Sequence, residues 1–245
     1  MLAGMVSTLL FGIALQAQNT DCRTPLGVPC YTIEMRQTDW MLFKEGITDI
    51  SRNVSYSLLA LRSDGSTVDA PLDAQRKVAD RSVLLRPTNR RLSVDARKRQ
   101  VTYWKAHPYY DRNVRRSEPT DHVCAGGISH YGSAPPAHTF IGTDRVAGIP
   151  VLVYQKAGMS WRWMHEVAMA PSLDCLALRT VRRHLPSLLG DEPGSSHIIE
   201  AISVKLGEPS PELFAVPAGY RTVTPPEPSK MLDFLSKYPQ VYIHR

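Results

Sequence analysis

The chain has 245 residues, of which 43% are hydrophobic and 21% are charged. This composition excludes a wholly disordered protein and allows one large β domain or two small ones. Nineteen prolines interrupt the chain too often for long helices and favour short strands with irregular connections. The formal net charge of +6 indicates an acidic rather than a basic partner.

The first segment has the properties of a leader peptide. Residues 1–17 contain no charged side chain and include the apolar run Val6–Leu15, which is short for a membrane span but suits a signal peptide. Leu15-Gln16-Ala17 offers a cleavage site. We therefore predict a signal peptide at residues 1–17, a periplasmic or secreted mature protein, and no membrane-spanning segment. The alternative is a buried N-terminal strand or helix.

The four cysteines of the chain favour disulfides in an exported protein. Cys22 and Cys30 close a short, proline-containing loop, which leaves Cys124 to pair with Cys175. Four buried free thiols are the alternative. No Cys-x-x-Cys spacing supports a zinc site.

Alternating and β-branched segments predict most of the fold as strands. In the first half these are Tyr31–Met35, Val54–Leu61, Thr67–Ala70, Ser82–Arg86, Arg91–Asp95 and Gln100–Lys105. An Asp-Gly turn joins the second and third of these as a hairpin. We predict a short helix or a covering loop at Thr38–Gly46, and one or two helical turns at Ala74–Ala79.

The stretch Phe140–Lys156 reads as a hairpin around Asp144, Gly148 and Pro150. Because Ile149–Tyr154 is almost wholly apolar, we place this hairpin centrally in an antiparallel sheet.

The remaining segments predict loops, strands and one helix. His107–Pro136 predicts a long, turn-rich excursion, Leu176–His184 suits either a strand or a helix, and Leu188–Ser196 predicts a polar loop. His197–Leu206 predicts a strand, and Gly207–Tyr220 predicts a proline-rich exit anchored by Leu213, Phe214 and Val216. Ser229–Tyr238 predicts a helix with Ser229 as its N-cap and one apolar stripe.

The positive charge is concentrated in one part of the chain. Residues 76–116 carry thirteen Lys or Arg against three Asp, a local excess of +10, so the rest of the chain is net negative. Five basic residues flank one predicted turn and define a candidate basic face: Arg90, Arg91, Arg97, Lys98 and Arg99. Such a face suits anionic lipid or cell-envelope polymer. A solvated edge hairpin is the alternative. No motif indicates nucleic acid.

No catalytic motif is present. His122, Cys124 and His130 could ligate zinc or copper, or form a thiol nucleophile with its base. However, a cysteine held in a disulfide is available for neither role. We therefore predict no metal, no cofactor and no enzymatic activity. Trp161 and Trp163 share one face of the extended segment Ser160–Val167, where they suit either a ligand pocket or a core.

Three segments resemble a group of uncharacterised secreted bacterial proteins: Gly142–Val153, Ala170–Leu178 and Gly207–Tyr220. More remotely, the order of hairpins and the Leu-Phe-x-Val-Pro exit are similar to the LolA/LppX-like superfamily of periplasmic carriers. The resemblance covers roughly residues 54–220. It implies a mainly β (α+β) fold, a strongly curved antiparallel sheet or unclosed barrel with a few covering helices. It also implies a hollow that holds acyl chains or lipoproteins.

These observations define four parts and one functional hypothesis. The parts are a signal peptide at 1–17, a segment with a short disulfide loop at 18–53, a curved β domain at 54–224, and a C-terminal helix and tail at 225–245. The hypothesis is an exported binding protein for a lipid or acylated partner. Its hollow would be lined by Tyr103, Trp104, Val151, Val153, Trp161 and Trp163. The alternative is a surface module that uses the basic face on anionic envelope polymer.

Overall fold

The computed structural model describes residues 21–42, 53–105, 124, 139–157, 163–185 and 194–224. Three predictions fall outside these residues: the signal peptide at 1–17, most of the excursion at 107–136 with His122 and His130, and the helix at 229–238. In the described part of the chain, helix is confined to two single 3-10 turns, Pro171–Leu173 and Pro211–Leu213. The structure therefore provides no covering helix there. None of the described residues form a helix that is long and apolar enough to cross a bilayer.

Twelve strands form one sheet. In chain order they are β1 Tyr31–Leu42, β2 Asn53–Leu61, β3 Thr67–Leu72, β4 Arg81–Leu85, β5 Arg90–Asp95, β6 Gln100–Lys105, β7 Thr139–Val146, β8 Ile149–Ala157, β9 Trp163–Ala170, β10 Leu176–His184, β11 Gly194–Leu206 and β12 Arg221–Val223. Their spatial order is β12-β6-β5-β4-β3-β2-β1-β11-β10-β9-β8-β7. Every ladder is antiparallel except β12 with β6. The predicted mainly β class and most of the predicted strands are confirmed.

The sheet is strongly curved and unclosed. Neighbouring strands lie about 4.8 Å apart, so a flat sheet would hold β7 about 19 Å from β11. Instead, β7 comes within 8 Å of β11, Cα to Cα. The guanidinium of Arg179 in β10 forms ion pairs with Glu166 of β9 at 3.2 Å and with Asp144 of β7 at 2.9 Å. At the same time, no ladder of described residues joins the two end strands, β7 and β12.

The apolar interior is divided between two clusters. In one, Val68, Val83 and Leu92 lie side by side across β3, β4 and β5 and are at most 2% exposed. Phe214 covers this first cluster from the exit segment, and Leu213 packs against it, so these two predicted anchors do pack. Val216, the third, is exposed. The second cluster surrounds Ile33, Met35, Val151 and Val153 at the β7–β11 end.

The central position predicted for the hairpin at 140–156 is wrong. Its first strand, β7, is the edge of the sheet, and β8 is second. Both faces of β8 are nevertheless covered, because Val153 and the adjacent Tyr154, which point to opposite faces, are 6% and 3% exposed. The curl of the sheet provides the cover that we had assigned to flanking strands.

Three local predictions also need correction. Thr38–Leu42 does not form a helix or a loop but extends β1, because it pairs with Ile198–Gly194 of β11. The same ladder takes Gly194–Ser196 out of the predicted loop and into β11. Residues 74–79 form no helix. They make a turn in which the Asp73 carboxylate accepts hydrogen bonds from the backbone N–H groups of Gln75 and Lys77. The ambiguous segment at 176–184 is a strand, β10.

Candidate functional site: an aromatic and basic cleft

An open cleft of about 400 Å³ lies where the β4–β5 turn meets the end of β6. Its walls are Thr88, Asn89, Arg90, Tyr103 and Trp104. We call it the aromatic-basic cleft. It brings together two residues predicted for the hollow, Tyr103 and Trp104, with one residue predicted for the basic face, Arg90.

The local sequence explains the shape of this cleft. The β4–β5 turn closes with a hydrogen bond from the N–H of Asn89 to the carbonyl of Arg86 (3.1 Å). Asn89 takes a left-handed φ of 47°, which asparagine tolerates better than most residues. The turn starts β5 in a register that sets Arg91 opposite Trp104 and Leu92 opposite Tyr103.

The edge of β6 forms the second wall. β12 pairs with Gln100, Val101 and Thr102 only, so from Tyr103 onward this edge has no partner among the residues that the structure describes. Tyr103 packs against the first cluster. Trp104 points to the other face, as alternation along a strand requires, and is 37% exposed. The cleft therefore offers aromatic surface that is only partly covered.

The charge at the cleft is positive. Arg90 is exposed, and its register partner in β6 is Lys105. Arg91 lies on the opposite face, where its Nε donates a hydrogen bond to Ser82 Oγ (2.8 Å). None of the five wall residues is acidic. A cleft lined by an arginine and an exposed aromatic ring suits a ligand that combines an anionic group with an apolar part.

The predicted basic residues do not form one continuous patch. Arg90 and Arg91 begin β5, whereas Arg97, Lys98 and Arg99 lie in the turn that follows its other end. Five residue steps at about 3.4 Å each put about 17 Å of strand between the two groups. In the second group, Lys98 forms an ion pair with Asp95 at 3.1 Å. The charge is therefore divided between the cleft and a distant turn.

The other predicted hollow residues lie far from the cleft. Val151 and Val153 are 2% and 6% exposed in the second cluster, at the opposite end of the sheet. Trp163 begins β9, and Trp161 is outside the described residues. The structure thus joins Tyr103 to Trp104 but does not bring either of them to Val151 or Val153.

The cysteines pair as predicted from the sequence. The structure joins Cys22 to Cys30 and Cys124 to Cys175. Disulfides persist in oxidising compartments, so these bonds fit a periplasmic or secreted protein. Cys124 is not a thiol in this state, which removes it from the zinc and nucleophile readings.

A polar pair that the sequence did not reveal links β1 and β11. The Nδ1 atom of His197 contacts Oδ1 of Asp39, and both side chains are about one-third exposed, 34% and 37%. Burial opposes ionisation of the Asp39 carboxyl, but hydrogen bonds from Gln37 and His197 outweigh it and lower the Asp39 pKa. The pair is separated by 158 residues, so no local pattern could predict it.

Arg179 was also missed. Its burial lowers the pKa of the guanidinium, but the carboxylates of Asp144 and Glu166 outweigh burial and raise it. The group therefore remains a cation that holds three strands of the curled end together. Only the curvature brings Asp144 into reach, and curvature cannot be read from one strand.

The chain is similar to several solved structures but only at low sequence identity. No family model and no curated protein matches the chain. Similar solved structures include the MucA/MucB complex of Pseudomonas aeruginosa, at 15% identity and a TM-score of 0.38, covering 78% of this chain and 59% of that chain. This chain therefore spans about three-fifths of the length of that protein.

Two other similar solved structures have names that relate to the resemblance found in the sequence. One is a LolA superfamily protein from Nitrosomonas europaea, at 8% identity and a TM-score of 0.28, covering 80% of this chain and 93% of that chain. The other is an outer membrane lipoprotein-sorting protein domain from Vibrio parahaemolyticus, at 8% identity and a TM-score of 0.22, covering 76% and 89%.

Proposed function

We propose that this protein is an exported, non-catalytic binding protein whose aromatic-basic cleft holds an anionic amphiphile, either a lipid or the acyl group of a modified protein. The observation that carries this proposal is the position of Tyr103 and Trp104 beside Arg90 in one cleft. Its volume of about 400 Å³ is within the range of small-molecule sites, about 300–1,000 Å³.

Each wall has a distinct role in this proposal. The exposed ring of Trp104 contacts the apolar chain, and burying its exposed part contributes favourable apolar area. Tyr103, whose ring packs against the first cluster on the other face of β6, also lines the cleft. The guanidinium of Arg90 donates hydrogen bonds to phosphate or carboxylate oxygens, a stronger interaction than a neutral hydrogen bond. Val151 and Val153 do not contribute, because they are packed in the second cluster.

The test is to recover the ligand from protein purified without detergent from the cell envelope. Solvent extraction and mass spectrometry should find an anionic lipid with the unchanged protein and much less of it with Trp104→Ala and with Arg90→Ala. Arg97→Ala is the matched control, since it removes an arginine from the distant turn and should leave the lipid content unchanged. Equal lipid in all four proteins, or none in any, would contradict the proposal.

A second candidate uses charge alone. Arg97 and Arg99 are exposed in the β5–β6 turn, and Arg221 joins them because its backbone N–H donates to the carbonyl of Arg99 (3.1 Å). This second basic group suits anionic envelope polymer. Binding to such a polymer should weaken steeply with salt, because exposed charges are screened, and should depend on Arg97 and Arg99 rather than on Trp104. Binding that does not depend on salt would exclude this candidate.

A further inference from the structure

The Cys22–Cys30 disulfide closes a hairpin whose backbone has hydrogen bonds of its own. The N–H of Cys30 donates to the carbonyl of Cys22 (3.0 Å), and the N–H of Thr24 donates to the carbonyl of Val28 (2.8 Å). Gly207, the first residue after β11, donates its N–H to the carbonyl of Cys30 (3.0 Å). Because none of these bonds involves sulfur, they hold the two cysteines, whose Cα atoms are 5.4 Å apart, side by side when the S–S bond is broken.

A carboxylate from a distant part of the chain meets this disulfide. Oε2 of Glu208, the second residue after β11, lies 2.7 Å from Sγ of Cys22. The two sulfur atoms and a carboxylate oxygen of Glu208 all lie within 4.8 Å of one another. Two thiolates and a carboxylate are ligands that Zn²⁺ binds, at about 2.3 Å to sulfur and about 2.0–2.2 Å to oxygen. Since the thiolate is the form that binds metal, the set is complete only after the disulfide is reduced.

The β2–β3 turn holds Glu208 in position. The N–H and the hydroxyl of Ser63 donate hydrogen bonds to Oε2 and Oε1 of Glu208, at 3.1 Å each. The Nε atom of Arg62 lies 3.6 Å from Oε1. Outer contacts of this kind orient the ligands of metal sites. The guanidinium of Arg62 also pairs with Asp64 at 2.8 Å, which limits its repulsion of a bound cation.

A reductant can reach one of the two sulfur atoms. Cys22 is partly exposed, whereas Cys30 is fully buried. A thiolate of a dithiol reductant attacks Sγ of Cys22, and the electron pair of the S–S bond leaves with Cys30. The second thiol of the reductant then displaces Cys22 and closes the reductant's own disulfide. One dithiol is thus oxidised for each protein disulfide that is reduced to two thiols, and zinc binding releases the two thiol protons.

We propose that the reduced Cys22–Cys30 hairpin is a zinc site, with its two thiolates and the carboxylate of Glu208 as ligands. Water fills the fourth position of the tetrahedral ion. The metal and the disulfide exclude each other because both use the same two sulfur atoms, so oxidation releases the zinc. Cysteine spacing does not reveal this site, because Glu208 lies 186 residues from Cys22. The inference does not depend on the function of the aromatic-basic cleft.

The first test uses Co²⁺ as a probe, because thiolate ligands give this ion a charge-transfer absorbance that oxygen ligands do not. The full chain is reduced with a dithiol, the reductant is removed in the absence of oxygen, and the protein is titrated with Co²⁺. We expect a thiolate–cobalt band that saturates at one ion per chain, and no band in the oxidised protein. Absence of the band after reduction, or the same band in the oxidised protein, would overturn the proposal.

Variants then test the ligands. Glu208→Gln removes the carboxylate charge and should weaken zinc binding by at least about tenfold, measured by competition with a chelating dye. Glu212→Gln is the matched control, because Glu212 is an exposed residue of the same exit segment, and it should leave zinc binding unchanged. Cys22→Ser with Cys30→Ser should abolish the cobalt band while leaving the other two cysteines. A band that survives in this double variant, or equal zinc binding by the two glutamate variants, would contradict the site.

Discussion

Removing the Cys124–Cys175 disulfide should destabilise the protein more than removing the Cys22–Cys30 disulfide. The first bond closes a loop of 51 residues that contains β7, β8 and β9, and the second closes a loop of 8. In the chain-entropy description, loops of these lengths contribute about 4 and about 2.5 kcal/mol to the free energy of unfolding. The long loop thus ties down the curled end of the sheet, whereas the short one closes only the segment that precedes β1.

The assay compares two double variants, Cys124→Ala with Cys175→Ala and Cys22→Ala with Cys30→Ala, by urea unfolding. Each pair contains one fully packed cysteine, since Cys124 is 4% and Cys30 is 0% exposed, so the cost of the lost sulfur atoms is similar in both. The free energy of unfolding should fall further in the first variant, by about 1.5 kcal/mol, which at equal m-values appears as a lower urea midpoint. If the short-loop variant loses as much or more, the account of the long loop is refuted.

Two further predictions concern single residues. Arg179→Leu should lower the free energy of unfolding, measured by thermal or urea unfolding. Loss of the hydrogen bond to Glu166 by itself accounts for about 1 kcal/mol. Lys98→Ala, which breaks an exposed ion pair with Asp95, should change little, and equal effects would contradict the role of Arg179. Burial first, and the charge of Asp174 second, raise the pKa of Tyr31 to about 12. Because the folded pKa exceeds the unfolded value of 10.0, the stability from a neutral Tyr31 is complete below pH 10.0 and is lost as the pH rises toward 12. A tyrosinate absorbance titration should show one late-ionising group that Tyr31→Phe removes, and identical curves would contradict this burial.

The features that sequence predicts well are those set by neighbours along the chain. The hairpins of β2 with β3 and of β7 with β8 follow from alternation and from turn residues that act over a few positions, Asp64-Gly65 in the first and Gly148 in the second. The disulfide pairing also follows locally, because one pair closes an easy short loop and leaves the other. These signals suffice for a mainly β protein and for the positions of most of its strands.

The features that sequence did not predict depend on partners far along the chain. The length of β1 is set by its ladder with β11, and that pairing outweighed the helix-like cluster of apolar residues after Thr38. The edge position of β7 was not predicted because β8 is apolar on both faces, a pattern typical of a central strand. In this sheet curvature, and not flanking strands, covers β8. The residues predicted to line the hollow are also divided, because Tyr103 lies with the first cluster and Val151 and Val153 lie in the second, at the other end of the sheet.

The sequence identified residues of the candidate site but did not predict that they lie together. Tyr103 and Trp104 were identified from an aromatic strand, and Arg90 from local charge, but as members of two separate surfaces. Their meeting depends on the left-handed turn at Asn89 and on β12 ending opposite Thr102. Both are details of the three-dimensional arrangement. They convert an aromatic strand and a basic turn into one cleft.

The most direct test of the central claim is a calorimetric titration of the purified protein with dodecyl phosphate below its micellar concentration. The account predicts binding at one site per chain, weakened at least tenfold by Arg90→Ala, as expected for loss of a charged hydrogen bond of about 1.5–3 kcal/mol. It also predicts a similar loss with Trp104→Ala and no change with Arg97→Ala. Binding that is unaffected by both cleft variants, or no binding at all, would contradict the assignment of the aromatic-basic cleft as the ligand site.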